Sequence, residues 1–90
     1  MVSQTPNNIR LAQVAYYRWA VYQVQMRSND TVTAQEFSHN ENLKHAVIID
    51  NASGEEYGCT FLNNVVTFSQ QGVLNLRDCT VFVYGRRSGF

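Results

Sequence analysis

Between Pro6 and Arg27, apolar residues recur at spacings of three and four. Projected at about 100° per residue, Leu11, Ala12, Ala15, Trp19, Tyr22 and Met26 fall on one stripe with no polar residue among them. Arg10, Gln13, Arg18, Gln25 and Arg27 lie outside it. The spacing predicts one long helix over about 6–27. Thr5 would cap it, Pro6 would occupy the first helical position, and Asn29-Asp30 would end it. Val14, Tyr17, Val21 and Val24 make a second, weaker apolar strip on its back. Such a helix has two partners: its own sheet, and either a neighbouring molecule or a loop folded over it.

Thr33-Ala34-Gln35-Glu36 fits a capping box and predicts a short helix through about Ser38, with polar connector over 39–45. Beyond it the period changes. Ala46–Ile49, Tyr57–Leu62, Val65–Phe68, Val73–Leu76 and Cys79–Tyr84 are β-branched and aromatic runs. They are separated by turn signals at Asn51-Ala52-Ser53-Gly54, Asn63-Asn64, Ser69–Gly72 and Arg77-Asp78. This pattern predicts an antiparallel β-meander whose apolar face the long helix covers. The expected fold class is therefore α+β, a long N-terminal helix packed on a small antiparallel meander. Ninety residues make one domain: helix about 6–27, connector 28–45, sheet 46–84 and tail 85–90.

Composition changes this picture little. The chain is 44% hydrophobic and 12% aromatic, enough for a core. Seven basic residues balance seven acidic ones, so no net field steers the chain to nucleic acid or an anionic membrane. Arg86-Arg87 is the one basic cluster and reads as a solvated tail. No stretch approaches the roughly 18–20 apolar residues of a membrane span, and no secretory apolar region follows Met1.

Candidate chemistry is sparse. Cys59 and Cys79 allow one intramolecular pairing, and a disulfide is preferred to two buried thiols or to a metal or catalytic role. A bridge closing about 20 residues would stabilise the fold by roughly 3 kcal/mol and imply an oxidising compartment. His39, Glu41 and His45 have a spacing that suits neither a helix face nor a hairpin metal site, so they read as loop residues. Glu55-Glu56 are adjacent on a turn, where their side chains diverge. No glycine-rich phosphate loop occurs. Phe61, Phe68, Phe82 and Tyr84 are interleaved with residues of a sheet core, which accounts for them better than base stacking does. Asn29-Asp30-Thr31 and Asn51-Ala52-Ser53 match the glycosylation acceptor pattern. No catalytic residue, cofactor or metal is expected.

The order of long helix, connector and cysteine-bearing meander resembles the soluble part of a type IV pilin-like subunit. Val65-Val66-Thr67-Phe68-Ser69-Gln70-Gln71-Gly72 with the closing run Thr80-Val81-Phe82-Val83-Tyr84-Gly85 is similar to the hydrophobic-x-Phe-x-x-x-Gly pattern and last strand of minor pilins and pseudopilins. The resemblance spans most of the chain in layout and some 20 residues in motif. It implies a structural subunit of a type IV pilus, type II secretion or DNA-uptake filament, located in the cell envelope or an extracellular filament and in the inner membrane before assembly. Its partners would be other pilin-like subunits. No small-molecule substrate is implied, nucleic acid is disfavoured, and membrane contact would come only through a preceding apolar segment that the ninety residues do not contain. Arg10, Tyr17, Val21 and Val24 would then form the subunit interface, and Cys59 with Cys79 the bridge. The alternative expectation is a small soluble protein-binding or inhibitor module acting through the helix surface. A small enzyme ranks behind both, and the expectation is of no enzymatic activity.

Overall fold

The computed structural model describes residues 2–6, 8–14, 17–37 and 43–86, with side chains left out of account over 8–14. Among the described residues nine strands run in chain order: β1 Ser3–Gln4, β2 Asn8–Val14, β3 Tyr17–Met26, β4 Thr31–Thr33, β5 Leu43–Asp50, β6 Glu56–Tyr57, β7 Cys59–Leu62, β8 Val65–Phe68 and β9 Arg77–Arg86. They form a four-stranded sheet in the order β1-β4-β8-β7 and a five-stranded sheet in the order β2-β3-β9-β5-β6. Among the described strands only the short β1–β4 pairing is parallel.

The fold is all-β, and the expected α+β arrangement of a helix on a meander is not what forms. No helix occurs among the described residues, so none there is long and apolar enough to cross a membrane, a statement that leaves strand-built barrels aside. Residues 8–14 and 17–26 instead make an antiparallel hairpin with Val14 opposite Tyr17 and Asn8 opposite Gln23. The reason is visible in β3. Ala20, Tyr22, Val24 and Met26 are buried, while Val21 and Gln23 between them are half-buried and Gln25 is exposed. That is a two-residue period. Aromatic and β-branched residues dominate the segment, and they suit a pleated surface better than a helix.

The expected capping box is likewise absent: Thr33 ends β4, and Ala34–Phe37 is a turn closed by Phe37 N–H on the Ala34 carbonyl at 3.0 Å. The expected connector 28–45 thus carries β4 and the start of β5. Four of the five expected strands lie within or across observed ones. Val73–Leu76 does not form a strand, and Arg77-Asp78, expected as a turn, begins β9. Asn63 does take the left-handed backbone its turn requires, at φ 55°. So does Asn29, at φ 72°, where β3 passes to β4.

The core lies between the two sheets. β3, β9 and β5 bring inward Tyr22, Met26, Val81, Val83 and Ile48, and these meet Val32, Val66 and Phe68 from the smaller sheet. At Gly58 the chain leaves one sheet for the other, and the Gly58 carbonyl accepts from Ser69 and Gln70 N–H at 3.0 and 2.9 Å. Beside it, β7 abuts β5: the Leu43 N–H donates to the Asn63 carbonyl at 3.1 Å, and the Cys59 thiol to the Ala46 carbonyl at 3.3 Å.

Candidate docking face

The outward surface of the five-stranded sheet is built from alternate residues of its strands. The register aligns them in rows across the sheet: Tyr17 with Arg86; Trp19 with Tyr84 and His45; Val21 with Phe82 and Val47; Gln23 with Thr80 and Ile49. Their neighbours in sequence (Ala20, Tyr22, Val81, Val83, Ile48) are buried in the core, so strand alternation puts these rows on the opposite side. Trp19, Val21, Phe82, Tyr84, Val47 and Ile49 are all partly exposed, and Tyr17 is 50% exposed.

The aromatic rings touch across strands. Tyr17 and Tyr84 pack edge to face with centroids 6.2 Å apart, Trp19 and Phe82 tilt together at 5.8 Å, and His45 leans on Tyr84 at 5.7 Å. Such cross-strand pairs fix the ring orientations. At the other end the face turns polar. Gln23 donates to Thr80 Oγ1 at 2.9 Å, Thr80 donates to Asn51 Oδ1 at 2.5 Å, and Asn51 donates back to Gln23 Oε1 at 2.8 Å, a closed ring of three. Beyond it, Gln25 donates to Asp78 Oδ1 at 3.0 Å.

The other sheet serves as an internal comparison. Its outward positions are Thr31, Thr33, Thr60, Thr67, Val65 and Leu62. Antiparallel sheets with one solvated face normally alternate apolar inside and polar outside. The smaller sheet follows that rule at its four threonines and departs from it at Val65 and at Leu62, which is 76% exposed, whereas the face carrying Trp19 and Phe82 breaks it across three adjoining strands.

Of the residues expected at an interface, Tyr17 and Val21 lie on this face, and Arg10 stands opposite Val21 in the register. Val24 does not: it is 3% exposed and belongs to the core. A separation of four residues keeps Tyr17 and Val21 on one side of a strand, whereas three residues carry Val24 to the other. Trp19, Phe82, Tyr84, Val47 and Ile49 were not expected at an interface. Their signal was present in the sequence as strands apolar at consecutive positions. Of the four aromatics assigned to the core, Phe68 is buried there, Phe61 on β7 is exposed, and Phe82 and Tyr84 lie on the outward face of the larger sheet.

The expected disulfide is not formed; Cys59 and Cys79 are free thiols. Cys59 reaches Ala46, which pairs with Val83, whereas Cys79 pairs with Asp50. Four residues of β9 separate these positions, about 13 Å of strand, and a bridge needs α-carbons within about 7 Å. Burial pushes the Cys59 thiol up, and pushes Cys79 up to about 11. Both are protonated at neutral pH and poor as nucleophiles. Among the described residues no group of three His, Cys, Asp or Glu could hold a metal ion. His39 and Glu41 lie outside the described residues.

Two other polar clusters do structural duty. Asp50, buried, accepts from Tyr57 Oη at 2.6 Å, from Ala52 N–H at 2.8 Å and from Ser53 N–H at 3.3 Å, which ties the β5–β6 turn to the core. The Tyr57 bond holds the Asp50 carboxyl below its usual range and, in return, pushes Tyr57 up to about 12. Tyr22, raised by burial and then by its bond to the Glu36 carboxylate, lines a cleft of about 170 Å³ with Gln4, Thr33 and Glu36. Arg18 closes that side by donating to the Glu36 carbonyl and lying 5.8 Å over the Phe37 ring.

Comparison with protein families, with curated proteins and with solved structures finds no match.

Proposed function

We propose that this protein is a non-catalytic assembly or binding module whose outward five-stranded sheet face docks on a protein surface. The observation that carries this reading is the contrast between the two outward faces. Contiguous apolar surface on a domain exterior marks interaction sites, and here one sheet presents Trp19, Val21, Phe82, Tyr84, Val47 and Ile49, all partly exposed, in adjoining rows, while four of the six outward residues of its partner sheet are threonine. Tryptophan, tyrosine and phenylalanine are also the residues enriched at the centres of protein interfaces. A stacking platform for single-stranded nucleic acid fits less well, because the face bears Asp78 and Glu56 beside its bases and the chain has no net charge.

The protein-binding expectation is thus carried forward, moved from a helix to a sheet. The pilin-like layout depended on a helix over 6–27, of which 8–14 and 17–26 are strand here, and that reading is not carried forward.

Photo-crosslinking in the cells that make the protein tests the proposal. A photoreactive residue at position 21, on the aromatic face, should give discrete crosslinks to protein. The same residue at position 67, on the threonine face, should give few. Equal yields from both positions, or none from position 21, would rule the docking face out.

A further inference from the structure

We infer that the occupant of this face is a second copy of the chain, stacked antiparallel about a two-fold axis passing over Phe82. The inference rests on the docking-face reading above and adds its partner and geometry.

The central strand, β9, carries the argument. Its outward residues are Asp78, Thr80, Phe82, Tyr84 and Arg86, so an acid and a base stand four residues to either side of Phe82. Both ends are exposed. A two-fold axis in the plane between two copies, perpendicular to the strands at the Phe82 row, lays β9 over the partner's β9 in the opposite direction. Phe82 then meets its own copy, and each Arg86 faces the partner's Asp78, twice by symmetry. The same operation sets Trp19 over the partner's Gln23, and His45 over the partner's Ile49. An axis running along the strands would instead set Arg86 over Arg86 and Asp78 over Asp78. On β9 charge therefore selects the antiparallel stack, while Arg10, which stands in the same row as Val21 and Phe82, comes over its own copy two strands away. Packed sheets cross at about 30°. Over the roughly 13 Å from Phe82 to Arg86 this displaces the strand ends by about 7 Å, a gap that a long arginine side chain spans.

Area and net charge agree. Four strands about 4.8 Å apart and five outward rows about 6.7 Å apart project to roughly 500 Å² per copy. Two copies bury about 1,000 Å² before side-chain relief is added, the threshold for a specific interface. With seven acidic and seven basic residues, two copies approach without net repulsion.

Charge exchange tests the inference on the whole chain, with circular dichroism confirming that each variant keeps its strands. The unmodified protein should sediment as a dimer at micromolar concentration. Asp78→Lys alone and Arg86→Glu alone should each weaken self-association at least tenfold, because each homodimer then faces like charges. An equimolar mixture of the two variants should recover the dimer as a heterodimer, since both pairs of positions 78 and 86 are again opposite in sign. A dimer indifferent to both substitutions, or a mixture that stays monomeric, would overturn the antiparallel stack. An unmodified chain that stays monomeric throughout would overturn the second copy as occupant, and crosslinks from position 21 to a different protein would then show that the docking face itself survives.

Discussion

Phe68 and Phe82 are the same residue type in two different roles. Phe68 is fully buried and packs on the Tyr57 ring at a centroid distance of 4.9 Å, whereas Phe82 is partly exposed on the outward face. Phe68→Ala should cost about 3–5 kcal/mol in urea unfolding, the range for emptying a buried aromatic site. Phe82→Ala should cost the isolated chain about 1 kcal/mol or less and act chiefly on association. The Asp50–Tyr57 pair sets a pH dependence. A carboxyl held below its ordinary value stabilises the fold above about pH 3.9 and loses that contribution as the pH falls through and below it. Tyr57, raised to about 12, contributes below about pH 10 and loses its contribution between about 10 and 12. Asp50→Asn should flatten the acid limb of stability against pH, and Tyr57→Phe should flatten both limbs, measured by denaturant titration at each pH. The free thiols carry a simpler expectation: reductant leaves the melting temperature unchanged, and a thiol reagent titrates two groups once the chain is unfolded.

The hairpin of β2 and β3 separates what was legible in the chain from what was not. The strands after residue 43 were largely readable, because Asn63-Asn64 and Asn51–Gly54 punctuate them with turn chemistry and Asn63 takes the left-handed backbone its turn demands. Residues 17–26 carry no such punctuation. In a sheet with one solvated side, polar residues at alternate positions would have announced a two-residue period. Here the outward Trp19 and Val21 are as apolar as the inward Ala20 and Tyr22, so the alternation vanished and a helical projection found a stripe by coincidence. The property that hid the strand is the property that marks the face. Tyr17 and Val21 reached the candidate site because even spacing serves either geometry; Val24 did not, and Trp19 was misplaced. A pair of substitutions reads the period directly. Val21→Lys should leave the fold intact by circular dichroism and abolish association, whereas Val24→Lys, placing a charge at a core position, should unfold the chain.

At the scale of the molecule, the two sheets share one core but present unlike surfaces. The threonine-rich sheet closes the sandwich and faces solvent, while the five-stranded sheet covers the core on one side and offers aromatic rows on the other. With both faces of its central strands apolar, that sheet resembles the middle layer of a three-layer stack more than the wall of a two-layer one. The proposed second copy would supply that third layer. Radical footprinting of the protein in the cells that produce it, set against the dilute purified chain, measures this most directly. The account predicts that Trp19, Phe82 and Tyr84 are protected in the cell relative to the dilute chain, with Leu62 on the opposite sheet labelled equally in both. Equal labelling of Trp19, Phe82 and Tyr84 in the two samples would contradict it.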